Sequence, residues 1–343
     1  MMNRYEDVVS ELVGAMLSED RARSAQDILE PMAAATPGST AGSWVDATDF
    51  AIALNTLLFA DLLARAPTGA AYVEEVSRTG RRVCFDHGAL RTIRLPHGDT
   101  GALPPGELAF RRILEPLGYE EAAIYPLPKL RMTGRAYRHR AHPETIPQFF
   151  VSELDVDQFD AGFIAAARRV FGSSRDPIDS DTAAALARLG HGEVLERHVA
   201  LRALRRVLGA FARQHDRPML TDYEILRRSS AEAAWIATEG NAFNHATDRV
   251  ADVVALAETQ RALGRPIKDG VEFSATGRVR QTAFRADPVE RSFGMPSGPD
   301  HILSVPGSFY EFITRDVDPA TGALDLSFDS SNATGIFGMT RAA

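Results

Sequence analysis

Two stretches, "CFDHGALRTI" (84–93) and "TEGNAFNHATDRV" (238–250), carry the same pattern: a histidine with an arginine four residues on, His87 with Arg91 and His245 with Arg249. The first stretch has the short β-compatible run of a strand. After it comes "PPGELAFRRILEPLGY" (104–119), a helix that begins near a proline and ends at Gly118. Strand-like "EAAIYPL", "RMTGRAYRHR" and "PQFFVSEL" follow. After the second stretch, "DVVALAETQRALGRPI" reads as a helix ending at a glycine, and strand-like "VEFSATG", "RVRQTAFRAD" and "GSFYEFITRD" follow. The order strand, helix, three strands therefore occurs twice. From His87 to Glu153 in the last strand of the first unit is 66 residues, and from His245 to Glu311 in the last strand of the second is again 66. Equal spacing within one supersecondary unit points to an internal duplication.

The rest of the chain frames these units. Residues 3–35 place Val8, Leu12 and Met16 at helical spacing. "TPGSTAGS" (36–43) is a break, and 46–65 reads as a mostly apolar helix with Asp46 or Thr48 as its cap. Residues 157–234 turn rich in Ala, Arg and Leu, with a long amphipathic helix in "EVLERHVALRALRRVLGAFARQHD". The expected organisation is an N-terminal helical region (1–82), a first βαβββ module (83–156), a helical insertion (157–240), and a second βαβββ module with a C-terminal tail (241–343). All four form one compact α+β domain around a central β cleft.

Composition narrows the function classes. The 343 residues are 45% hydrophobic and 24% charged, as in an ordinary globular protein. The net charge of −8 argues against a nucleic-acid partner. One cysteine, Cys84, excludes an intrachain disulfide and an all-thiolate zinc site. The start, "MMNRYEDVVSELVGAML", lacks the apolar core of a signal peptide. With no long apolar run, no membrane span is expected, and the reading is a cytoplasmic protein. Nucleophile-elbow, P-loop and dinucleotide fingerprints are absent.

Paired modules would gather His87, Glu153, His245 and Glu311 in the cleft. Two imidazoles and one carboxylate on one side of a divalent metal leave positions open for substrate and oxygen, an arrangement that favours non-haem Fe(II). Zn, Mn or Ni also suit such ligands. The spacing leaves open which glutamate completes the set and whether the other is a fourth ligand or a supporting group; for Glu153 a capping or salt-bridge role is favoured over direct ligation. On a strand, Arg91 shares a face with His87 at about 13 Å between Cα atoms. Its guanidinium fork suits a carboxylate. Arg249 repeats the geometry, either in the cleft or paired with an acid such as Asp248. Gln281, on a strand of the second module, is a candidate substrate contact. The arginines of "RMTGRAYRHR" read as a solvated strand face.

"DHGALRT", "FVSEL", "TEGNAFNHATDRV", "GSFYEFITRD" and "SNATGIF" resemble the 2-oxoadipate dioxygenase/decarboxylase (hydroxyglutarate synthase) family, over roughly residues 45–340. That family is similar to the glyoxalase-like, vicinal-oxygen-chelate proteins, whose unit is βαβββ. By motif the resemblance puts the metal ligands on His87, His245 and Glu311, leaving Glu153 and Arg249 as supporting groups. It puts the residue that binds the distal substrate carboxylate on Arg91. The tail that shapes the family's pocket falls on "SSNATGIF" (330–337), where Ser331 and Asn332 are polar in place of an apolar residue. The activity implied is Fe(II)- and O2-dependent: 2-oxoadipate to 2-hydroxyglutarate and CO2, as in lysine catabolism. The expected partners are a small 2-oxo acid and O2, with a homodimer left open. The alternatives are an O2-independent glyoxalase-like lyase or isomerase using Zn, Ni or Mn, and a non-catalytic protein that binds a metal and a small carboxylate. Four protein ligands including Glu153 would favour the lyase.

Overall fold

The computed structural model describes residues 4–18, 25–32, 44–97, 100–329 and 338–340. Helix α1 (Arg4–Gly14) leads into α2 (Ala47–Arg65) and α3 (Pro67–Arg78). Asp46 caps α2 and Asp49 returns the bond to the cap, a capping box that fixes where the helix starts. Among the described residues α2 is the one helix long and apolar enough to cross a membrane. It is instead the central core helix: most of its residues are buried, and Phe59 packs on Phe85 and Tyr310 of the sheet.

The first module runs β1 (Phe85–Arg94), α4 (Leu108–Leu114), β2 (Tyr119–Leu127), β3 (Met132–His139) and β4 (Gln148–Asp155). Five helices follow: α5 (Ala161–Phe171), α6 (Ser180–Gly190), α7 (Arg197–Ala210), α8 (Leu220–Ser229) and α9 (Ala231–Glu239). The second module runs β5 (Phe243–Arg249), α10 (Val253–Ala262), β6 (Glu272–Phe273), β7 (Val279–Ala283), β8 (Pro288–Phe293), β9 (His301–Pro306) and β10 (Phe309–Arg315). The β8–β9 hairpin is an addition that the sequence reading did not expect. It pairs only with itself.

One curled eight-stranded sheet joins the modules in the order β2-β3-β4-β1-β5-β10-β7-β6. In each module the first strand is central, the fourth lies parallel beside it, and the second is outermost. The modules meet where β1 pairs antiparallel with β5. Gly88 stands opposite Ala246, His87 opposite Thr247 and Ala89 opposite His245. That register is symmetric about the Gly88–Ala246 pair, so the two histidines are twins across it. Gly88 is required there because a Cβ would fall 2.2 Å from the Phe243 ring.

The two faces of the sheet have different tasks. Phe85, Leu90, Phe149, Val151, Tyr310 and Phe312 join the large core formed with α2, α3, α6 and α7. Alternate residues point the other way, and there Ile93 and Leu154 join a second core with α5, α8, α9 and the β8–β9 hairpin. The helical insertion thus serves both faces, and α9 lies over the ligand-bearing face.

The matched spacing of 66 residues is not a structural match. Opposite His87 stands Gln148, and Glu153 lies five residues further. Opposite His245 stands Phe309, and Glu311 lies two residues further. The twin of Glu311 in the first module is therefore Phe150, an even step from Gln148. Glu153 is an odd step away and projects from the opposite face.

Candidate metal centre

One register row crosses the middle of the sheet: Gln148, His87, Thr247, Glu311 and Ala283, on five adjacent strands. His245 sits one same-face step away. His87, His245 and Glu311 each offer one ligand atom, all within 4.8 Å of one another, and all three residues are buried. Nε2 of His245 is 2.9 Å and Nε2 of His87 is 3.4 Å from Oε2 of Glu311. Thr247, which the sequence reading passed over, donates from Oγ1 to the same Oε2 at 2.7 Å and lies 3.1 Å from Nε2 of His87.

The other ring nitrogen of each histidine is held by the residue before it. Nδ1 of His87 is 2.8 Å from Oδ1 of Asp86, and Nδ1 of His245 is 2.8 Å from the amide of Asn244. Neighbours along a regular strand point to opposite faces, so such contacts need a break in the pleat. The break is a pair of bulges. Pairing shifts between Phe85 and His87, leaving Asp86 without a ladder partner. It shifts again where Leu90 pairs with Phe243 and Ala89 with His245, leaving Asn244 without one. β-bulges commonly re-aim side chains beside active sites. Here two symmetric bulges turn Asp86 and Asn244 toward the imidazoles, and a histidine held at one nitrogen presents the other as a ligand.

The two supports differ in charge. Asp86 also accepts from Arg315, whose Nε and Nη2 lie 2.9–3.1 Å from its carboxylate oxygens, and the pair is fully buried. Asn244 is neutral. Its amide nitrogen faces the ring, while its oxygen is buried with no hydrogen-bond partner among the described residues. A half-turn of this amide would give Nδ1–H of His245 an acceptor, which ligation through Nε2 requires.

The charge states follow. Burial alone would raise Asp86, but Arg315 and His87 hold its carboxyl well below the usual range. Burial would lower His87, yet its bonds to Asp86 and Glu311 prevail and raise it. Burial lowers His245, and Glu311 compensates only in part. Glu311 is held far below the usual range by the two histidines, against the upward pull of burial. Glu311 is thus a buried carboxylate between two imidazoles whose proton affinities are pulled in opposite directions. Such a buried N2O set, each histidine oriented from behind, fits a divalent transition metal.

The other predicted residues fall as follows. Arg91 lies two same-face steps from His87, 1% exposed, with its guanidinium over the Trp235 ring of α9 and Nη1 donating to Thr340 at 2.9 Å. Gln281 is on the ligand-bearing face of β7, opposite Ile313 and one same-face step beyond the Glu311 row, with Nε2 3.5 Å from Glu272. Glu153 stands away from the centre, in a capping and salt-bridge role and not as a ligand or its support. Its Oε2 accepts from the Glu107 backbone N–H at 2.8 Å, Arg94 and Arg135 flank it, and Gly106 (φ +55) leaves the space its carboxylate fills. Arg249 is not paired with Asp248, because adjacent strand residues face opposite ways. It donates to Cys84 Sγ and the Glu144 carbonyl, with Nη1 3.9 Å from Asp86. Asp248 instead accepts from Tyr72 Oη and the Cys84 N–H. Ser331 and Asn332 lie outside the described residues.

The curled sheet of paired modules is a fold of the glyoxalase superfamily. A solved structure of a Ralstonia eutropha JMP134 protein described as belonging to that superfamily is 49% identical, covering 94% of this chain and 98% of its own, with TM-score 0.88. Within it, the chain belongs to the 2-oxoadipate dioxygenase/decarboxylase family, whose model matches residues 59–322. A curated relative, the chloroplastic/amyloplastic 2-oxoadipate dioxygenase/decarboxylase of Oryza sativa subsp. japonica, is 25% identical over 277 residues. The match spans 75% of this chain and 66% of that protein, just under two thirds of its length. The solved hydroxyglutarate synthase of Oryza sativa, in complex with 2-oxoadipate, shares the fold at 21% identity, covering 90% of this chain and 98% of its own, with TM-score 0.65.

Proposed function

We propose that this protein is an Fe(II)-dependent dioxygenase/decarboxylase that converts a 2-oxo dicarboxylic acid, 2-oxoadipate in the first instance, with O2 into 2-hydroxyglutarate and CO2. The observation that carries the reading is the convergence of His87, His245 and Glu311 on the strand face that also presents Arg91. These three side chains would hold the metal. Iron held there would supply O2 activation and Lewis-acid polarisation of the 2-oxo acid.

The chain's own residues supply the rest. Asp86 and an oxygen-first Asn244 hold a proton on Nδ1 of each histidine, keeping both Nε2 atoms free as donors. Thr247 fixes one oxygen of Glu311 by donating to it. Arg91 takes the distal carboxylate in its fork, at a separation from His87 that a six-carbon diacid spans. Trp235 lies against the guanidinium and excludes water, which strengthens the ion pair. Gln281 adds a polar contact on the same face, and Ser331 and Asn332, substrate contacts by their motif, lie outside the described residues. Phe150 at the twin position of Glu311 supports an oxygenase over a lyase with four protein ligands, since it puts no carboxylate where the duplicated fold would place the fourth ligand.

Oxygen uptake tests the reading. Metal-free protein is loaded anaerobically with Fe(II) and given O2 with 2-oxoadipate and related 2-oxo acids, beside His245→Ala. Uptake with CO2 release, lost in the variant, is expected. Stoichiometric Fe(II) binding without uptake on any 2-oxo acid overturns it in favour of non-oxidative chemistry.

A further inference from the structure

Arg315 touches two things that the reaction needs to keep in register. One end of its guanidinium grips Asp86 behind His87. The other end, Nη1, donates to the carbonyls of Asp325 (2.9 Å) and Ser327 (2.8 Å). Those residues belong to a strap, 325–328, that returns over the ligand-bearing face after β10. Gln148, the row neighbour of His87, donates to the Leu326 carbonyl at 3.3 Å, and the Phe328 N–H donates to Tyr125 Oη at 3.0 Å. The Phe328 ring stands edge-on to His87 at 4.8 Å, packs on Phe150 at 4.8 Å and lies 5.2 Å from the Arg315 guanidinium carbon. Phe150 occupies the place where the duplicated fold would otherwise put a fourth ligand. Phe328 covers it.

We propose that Arg315 is a positioning residue that couples the aim of His87 to the seating of this strap, and that Phe328 is the apolar wall of the substrate side of the metal. The proposal rests on the metal-site reading above. One guanidinium holds Asp86 behind His87 through Nε and Nη2 and the strap carbonyls through Nη1, so loss of that side chain disturbs both at once. Phe328 and Phe150 together put an apolar surface on the first-module side of the site, with Gln148 and Tyr125 bound to the strap at its edge, and it suits the methylene chain of a 2-oxo diacid.

The test uses Co(II) as a spectroscopic probe in the full chain and needs no turnover. Co(II) affinity is read from its visible absorption, and 2-oxoadipate binding from the spectral change it causes anaerobically. Asp86→Asn is expected to weaken Co(II) tenfold or more while leaving 2-oxoadipate affinity, at saturating Co(II), within threefold. Phe328→Leu is expected to do the opposite: Co(II) within threefold, 2-oxoadipate weakened at least fivefold. Arg315→Met should show both losses. Adding Phe328→Leu to it should weaken 2-oxoadipate by less than twofold more, because the wall is already unseated. Arg315→Lys guards against a folding failure: an ammonium retains charge behind Asp86 but cannot span both carbonyls, so Co(II) stays within threefold and 2-oxoadipate binding falls. Independent, fully additive losses for Arg315→Met and Phe328→Leu overturn the coupling, as does an Arg315→Lys variant that binds 2-oxoadipate normally. A wild-type chain that takes up no Co(II) refutes the metal site itself, a different failure.

Discussion

The carboxylate of Asp86 is the point at which a single atom exchange should do most damage. Its side chain is 1% exposed and serves two donors, Nδ1 of His87 at 2.8 Å and the Arg315 fork. Asp86→Asn keeps the shape but leaves one acceptor oxygen where two were used. If that oxygen faces Arg315, the amide NH2 faces His87 and selects the tautomer with hydrogen on Nε2, which blocks ligation. If it faces His87, Arg315 is left buried without a counter-charge. Removing one partner of a buried ion pair typically costs about 3–5 kcal/mol, and losing the group behind a ligating histidine costs about 10–100-fold in metal affinity. Urea unfolding of the metal-free protein at pH 7 should therefore show a loss of about 3 kcal/mol, with Co(II) or Fe(II) bound at least tenfold more weakly. The sign with pH is fixed. The folded carboxyl lies below its unfolded value, so its stabilisation is present above about pH 4 and fades as the pH falls below that. The wild-type advantage should shrink in acid. The double variant Asp86→Asn/Arg315→Met, which removes both charges, should recover part of the stability but none of the metal affinity. Stability within about 0.5 kcal/mol of wild type, with metal affinity within threefold, would refute the reasoning.

Three further outcomes follow from the same geometry. Glu153→Gln should cost about 1 kcal/mol through its weakened hold on the α4 entry and Arg135, with metal affinity unchanged; a tenfold loss in a metal titration would contradict its placement on the far face. Arg91→Lys should raise KM for 2-oxoadipate at least tenfold in oxygen-electrode assays, while a 2-oxo monocarboxylic acid is used as before, because an ammonium lacks the fork. Burial raises the Asp248 carboxyl to about 7, with the Tyr72 and Cys84 bonds offsetting only part of it. Its contribution to stability is complete below the unfolded value near pH 4 and is lost as pH rises through about 7. Denaturation midpoints should thus fall between pH 5 and pH 8 in wild type and fall less in Asp248→Asn; parallel pH profiles would count against it.

The sequence disclosed the duplication but misplaced its register. The order of elements was legible because each strand and helix has its own period and stop signals, and the sheet repeats that order on both sides of the β1–β5 seam. The equal count from histidine to glutamate was a coincidence of loop lengths. The first module reaches its fourth strand in fewer residues, since the β8–β9 hairpin belongs to the second alone, and the count matched only because Glu153 lies further along its strand than Glu311 does. A spacing cannot reveal which face a side chain takes when the partner strand's register is unknown, and one odd step was enough to send Glu153 to the other side.

The bulges set the opposite problem, because their signal was present in the chain and unread. "FDHGALR" (85–91) and "FNHATDR" (243–249) repeat not only His-x-x-x-Arg but the whole of Phe-Asp/Asn-His. An acid or amide directly before a ligand histidine looks inert in a regular strand, where it must face away. It becomes a support only if the strand carries an extra residue there, and no propensity marks that choice. Symmetry could have exposed it: a duplicated ligand whose preceding residue is also duplicated in kind implies that both positions serve the same task. The one difference between them, Asp86 charged and Asn244 neutral, then demands a buried cation on one side only. Arg315 is that cation, and its pseudo-equivalent in the first module, Leu154, has no charge.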